Sequence, residues 1–105
     1  TNDTTKFHIY GMIFDGNLSG NANRLKFRYD RVDQTLSFTG TIGTSTGTPT
    51  YMFFGGDNRG SVGAGNALSS TYMNGYIGEI LIFTRALSPG EYVATENYIR
   101  TKWNI

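Results

Sequence analysis

The chain contains no cysteine, one histidine and two prolines among its 105 residues. Without thiols it can form neither a disulfide nor a thiolate metal site. With no thiol and His8 as the single histidine, a zinc centre is not expected. Charge of one sign is also scarce: nine Lys and Arg against eight Asp and Glu leave a net +1. Nothing therefore draws the whole chain toward nucleic acid or an anionic membrane. No apolar run approaches the ~20 residues that span a bilayer, so membrane insertion is not expected. A basic-then-apolar leader is lacking, and the sequence opens on Thr1-Asn2-Asp3-Thr4-Thr5, which suggests a processed or partial chain. What is abundant is glycine, at 14 residues, and aromatics, at 14%. Glycine without a collagen period marks many turns, and Phe and Tyr suit pleated sheets, so the composition points to an all-β fold.

Read in order, residues 6–14 are apolar on both parities, as expected of a strand covered on both faces. Gly11 inside it marks a bulge or a close approach by another backbone. Residues 15–23 are dense in turn formers and read as a loop. Residues 24–29 alternate: Leu25, Phe27 and Tyr29 point one way, while Arg24, Lys26 and Arg28 point the other as a solvated basic face. Asp30-Arg31 is a tight turn into a second strand over 32–38, giving a hairpin. Residues 39–49 connect to a short strand over 51–54, and residues 57–71 form a long surface loop, a candidate functional element by its length.

Residues 76–83 read as a second strand apolar on both parities, and a sharply capped helix follows. Ser88 is a suitable N-cap, Pro89 fits the first helical position and Glu91 completes a capping box. Leu87 and Tyr92 are spaced for a hydrophobic staple. Tyr92, Glu96, Ile99 and Trp103 form one helical stripe. Glu79, Arg85, Ser88 and Trp103 are accordingly assigned structural roles, with Trp103 expected to pin the helix.

Gly75-Tyr-Ile-Gly-Glu-Ile-Leu-Ile-Phe-Thr-Arg-Ala-Leu-Ser88 and Tyr98-Ile-Arg-Thr-Lys-Trp-Asn-Ile105 resemble the laminin-G-like, concanavalin A-like jelly-roll superfamily. The nearest flavour is the bacterial-surface and phage or viral structural type. Phe7 to Gly16, the hairpin over 25–38 and Phe53-Phe-Gly-Gly56 are similar to other strands of that family. Asp30-Arg31 stands where Asn-Gly or Asp-Gly is usual, and Asn104 where the family has Gly. The resemblance implies an antiparallel two-sheet sandwich with one short C-terminal helix. Residues 1–105 would be a single domain, the C-terminal part of a larger domain or protein. It also implies an extracellular, cell-surface or virion location and partners that are glycans, protein surfaces or other chains of an assembly.

A glycosidase needs two carboxylates roughly 5–10 Å apart. Glu79 has no second acid near it in sequence, so no catalytic residue is assigned and a non-enzymatic chain is expected. Tyr72, closing the long loop, is the aromatic best placed to stack on a sugar, with Asp57, Asn58 and Arg59 as ligand-binding companions; Tyr10, Tyr51 and Tyr76 are weaker choices. Asp15 and Asn17 begin like a calcium loop, but Lys26 stands at the twelfth position, where a bidentate Glu belongs. They read first as a solvated Asx-rich turn, with calcium as the alternative and no other cofactor. The expectation is a non-catalytic module that recognises a glycan or protein surface. The alternatives are a virion or cell-surface structural protein acting by assembly, and, more weakly, a remnant of a glycan-active enzyme.

Overall fold

The computed structural model describes residues 5–47, 54 and 73–105. The chain divides into two compact units, Thr1–Thr46 with Ile82–Ile105, and Gly47–Leu81. The first holds every element of secondary structure among the described residues: strand β1 (Tyr10–Phe14), a helical turn α1 (Asn21–Arg24), strands β2 (Leu25–Tyr29) and β3 (Val32–Gln34), and helix α2 (Pro89–Trp103). The strands form an antiparallel sheet in the order β1-β2-β3.

The alternation in residues 24–29 sets the sheet register. Tyr10 lies opposite Tyr29, Met12 opposite Phe27 and Phe14 opposite Leu25, so one face is apolar. On the other face Gly11 lies opposite Arg28 and Ile13 opposite Lys26. The Asp30-Arg31 turn has positive φ at both residues, 46° and 73°. This is the handedness that a two-residue hairpin loop requires, and it is costly for residues bearing a Cβ.

β3 is shorter than the expected strand over 32–38. The next ladder pair would join Leu25 to Leu36, but the Leu25 N–H already donates to the Asn21 carbonyl as α1 ends. Residues 35–38 leave the sheet as a result. The loop over 15–24 is held against residues 40–44. Asn21 Nδ2 donates to the Gly40 carbonyl at 2.5 Å and Asn21 Oδ1 accepts the Ile42 N–H at 2.8 Å. A Cβ on Gly16 would fall 1.8 Å from the Thr44 carbonyl oxygen, so only glycine fits there.

Helix α2 begins as the sequence indicates. Glu91 N–H donates to Ser88 Oγ and Ser88 N–H donates to Glu91 Oε2, the two bonds of a capping box, with Pro89 in the first turn. It ends at Asn104 in the left-handed region, φ 54°. Asn tolerates that conformation best among residues with a Cβ, so it can close the helix as glycine often does.

Three expectations change. The strand over 76–83 does not form: residues 73–88 carry no strand or helix, and among the described residues they have no ladder partner. The strand near residue 10 is not covered on both faces, since Tyr10 is 67% and Met12 72% exposed. Trp103 is not fully buried; it stays 36% exposed and packs on Phe7 with ring centroids 5.8 Å apart. The expected strand over 51–54 lies outside the described residues apart from Phe54.

Candidate binding surface

The strand-helix junction is built on charge. Arg28 was expected on a solvated face, yet it is 8% exposed and Glu96 only 6%. Arg28 Nε and Nη2 donate to the two oxygens of Glu96 at 2.7 and 3.1 Å. Nη2 also donates to the Arg31 carbonyl at 2.6 Å, and Nη1 pairs with Asp33. The guanidinium carbon lies 4.7 Å from the Tyr92 ring centroid. The Glu96 hydrogen bonds raise the Arg28 pKa above its ordinary value, against the opposing pull of burial. Gly11 lies beside this arrangement: a Cβ there would sit 3.6 Å from Arg28 Cβ and 3.9 Å from Glu96 Oε1, ordinary contact distances. Among the described residues, neither a bulge nor a close backbone approach occurs at Gly11: the β1–β2 register runs unbroken through it, and its neighbours are the side chains of Arg28 and Glu96.

A second cluster ties the start of β1 to the hairpin tip. His8 Nδ1 lies 2.6 Å from Asp30 Oδ2 and 2.9 Å from Tyr29 Oη, and the His8 ring stacks on Tyr29 at 5.1 Å. A carboxylate can only accept, so Nδ1 carries the proton. Asp30 Oδ1 accepts the Ile9 N–H at 2.9 Å. Burial pushes the Asp30 carboxyl up, but the Ile9 N–H and His8 together hold it below its usual range. These bonds fix the turn that carries the strained Asp30-Arg31 pair. No sequence pattern announced them, because His8 and Asp30 are 22 residues apart. Glu96 did leave a trace: it is the one charge on an otherwise packable helical stripe.

Of the assigned residues, Tyr72, Asp57, Asn58 and Arg59 lie outside the described residues. Asp15 and Asn17 are together, and Asp15 Oδ1 accepts the Asn17 N–H at 3.0 Å, closing an Asx turn. Among the described residues no group of three or more His, Cys, Asp or Glu could hold a metal ion. Arg85 grips Glu91 through two hydrogen bonds of 2.8 and 2.7 Å, binding the turn before the helix to its first turn. Glu79 is half-buried.

The surface left open is the apolar face of the sheet. Tyr10, Met12 and Val32 are exposed, the last at 61%, and the Tyr10 ring lies 5.2 Å from Tyr29 and 6.2 Å from Phe27. A shallow open cavity of about 270 Å³ adjoins Phe27, lined also by Leu25, Leu36 and Phe38, with Lys26, Asp33 and Gln34 as its polar groups. It exists because residues 35–38 leave the ladder. Chemically this is an aromatic and aliphatic platform with polar groups beside it. It suits stacking and apolar contact. The sequence held part of the signal in the shared parity of Leu25, Phe27 and Tyr29; it is the register of β1 against β2 that sets Tyr10 and Met12 on the same face. Comparison with family models found no match, and neither did comparison with curated proteins or with solved structures.

Proposed function

We propose that this chain is a non-catalytic recognition module of the jelly-roll type, and that it binds a glycan or protein surface outside the cell or on a virion. The observation that carries the reading is the exposed apolar face around Tyr10, Met12 and Val32. An exposed cluster of large apolar side chains on a folded sheet marks a contact surface. The tilted rings of Tyr10, Phe27 and Tyr29 present aromatic surface that a sugar or an apolar side chain can cover. Buried charge supports the same reading, since Arg28 and Glu96 are consumed by each other.

The test is a glycan array with and without calcium, run beside a Tyr10→Ala variant. Binding by the parent chain that falls at least tenfold in the variant supports a glycan site on this face. Binding that the variant retains places the site elsewhere. No binding at all removes the glycan arm and leaves protein recognition.

A second reading, a structural protein that works by assembly, is favoured by a separate observation. Tyr76, Ile77, Ile80, Leu81, Ile82 and Phe83 are all exposed. A run so apolar is suited to burial against another layer, as a jelly-roll sandwich would provide. Light scattering tests it: a single chain mass at every concentration would sink the assembly reading.

A further inference from the structure

β1 combines three properties that seldom coexist in a strand left at a sheet edge. First, among the described residues it is paired on one side only. The bonds Asp30 N–H to Ile9 carbonyl and Asp15 N–H to Arg24 carbonyl show that its odd-numbered residues face β2. In an antiparallel ladder the hydrogen-bonding direction alternates along the strand. The N–H and C=O groups of Tyr10, Met12 and Phe14 therefore point to the open side. Second, Tyr10 and Met12 keep their side chains largely in solvent, at 67% and 72% exposure. Third, Tyr10-Gly-Met-Ile-Phe14 contains no charge and no proline, the devices that usually keep an edge from pairing.

We propose that β1 is a homotypic docking edge, through which a second copy of this chain adds by antiparallel β1–β1 pairing centred on Met12. This rests on the assembly reading and names its contact. The edge is self-complementary. A two-fold axis at Met12 sets Met12 against its own copy and Tyr10 against Phe14 of that copy. All these side chains lie on the apolar face, so each meets an apolar partner within cross-strand contact distance. On the opposite face Gly11 meets Ile13, which gives the second chain room. A two-fold contact sets any residue on the axis against itself, so a charge at position 12 would repel its copy. The absence of charge from β1 removes that penalty. The paired sheets become one continuous sheet, and the exposed rings of Tyr10 in both copies lie on one surface.

The experiment is size-exclusion chromatography with light scattering on the whole chain over a concentration series. The parent should reach twice the 11.6 kDa mass of one chain. Met12→Lys and Met12→Glu should each shift the association midpoint to at least tenfold higher concentration. An equimolar mixture of the two should restore it, because opposite charges then face across the axis. Met12 is exposed, so both variants should keep the parent's circular dichroism. Met12→Pro is a second probe: it removes an outward N–H and no bond to β2, and it should also weaken association. A parent that stays a single chain throughout overturns both the assembly reading and this contact. A parent that associates while Met12→Lys associates equally overturns the contact alone. Failure of the mixture to recover overturns the two-fold register at Met12.

Discussion

Arg28 on the central strand and Glu96 on the C-terminal helix meet through two hydrogen bonds, 2.7 and 3.1 Å long, at a site nearly closed to water. Apart from Ile9, no hydrophobic residue among those described is buried. The helix thus meets the sheet through an ion pair and the Arg28–Tyr92 contact, and the segment before β1 through Trp103 on Phe7, with little apolar core between. Removing one member of a buried pair leaves the other charge stranded, at a cost of about 3–5 kcal/mol. Glu96→Ala should destabilise the chain by about that amount in urea unfolding. The double variant Arg28→Met with Glu96→Leu should recover most of it, since well-packed apolar pairs often replace buried ions without loss.

The helix start gives a pH dependence of definite sign. Bonds from Arg85, then from the Ser88 N–H, hold the Glu91 carboxyl at about 2, below its ordinary 4.5. A depressed carboxyl stabilises the fold above its unfolded value, and that contribution fades as the pH falls from 4.5 toward 2. Asp30 is lowered too and acts in the same direction. Stability measured from pH 6 down to pH 2 should therefore decline, and Glu91→Gln should flatten the decline while lowering the neutral plateau. Ser88→Ala should cost about 1 kcal/mol at neutral pH through loss of the cap.

Trp103 contributes less than a core tryptophan. With 36% of its surface in water and Phe7 as its aromatic neighbour, Trp103→Ala should cost about 1–2 kcal/mol, below the range for a buried ring. Thermal unfolding followed by far-ultraviolet circular dichroism reads the difference directly. A loss above 4 kcal/mol would mean that the ring is buried after all.

Arg31 holds φ at 73° in the hairpin turn, a conformation that glycine adopts without cost. Its backbone carbonyl, which accepts from Arg28, would survive substitution. Arg31→Gly should therefore stabilise the folded chain by about 0.5–1 kcal/mol, less whatever glycine adds to the freedom of the unfolded chain. Denaturant midpoints of the two proteins decide it, and a drop in midpoint would show that the Arg31 side chain contributes contacts of its own.

Local chemistry was legible in the sequence. Ser88, Pro89 and Glu91 specify a helix start through bonds spanning three residues, and the alternation of Leu25, Phe27 and Tyr29 specifies a strand and its parity. Such signals are short-range, so the chain's neighbours complete them. The open apolar face around Tyr10 was not legible, and residues 6–14 read instead as covered on both faces, because a strand's periodicity does not name what covers either.

By itself, then, the sequence determined where helix α2 starts, that Asp30-Arg31 turns, and that Leu25, Phe27 and Tyr29 share one side of their strand. Only the tertiary structure decided that Arg28, one of three alternating cations, goes inside. Lys26 remains exposed two residues away. The reason is that Glu96, 68 residues later, arrives above Gly11, and a buried guanidinium is tolerated only where a carboxylate meets it. Only the tertiary structure, too, left residues 76–83 without a ladder partner among the described residues. Their apolar character states a preference for burial, but a strand exists only when another backbone lies beside it to share its hydrogen bonds.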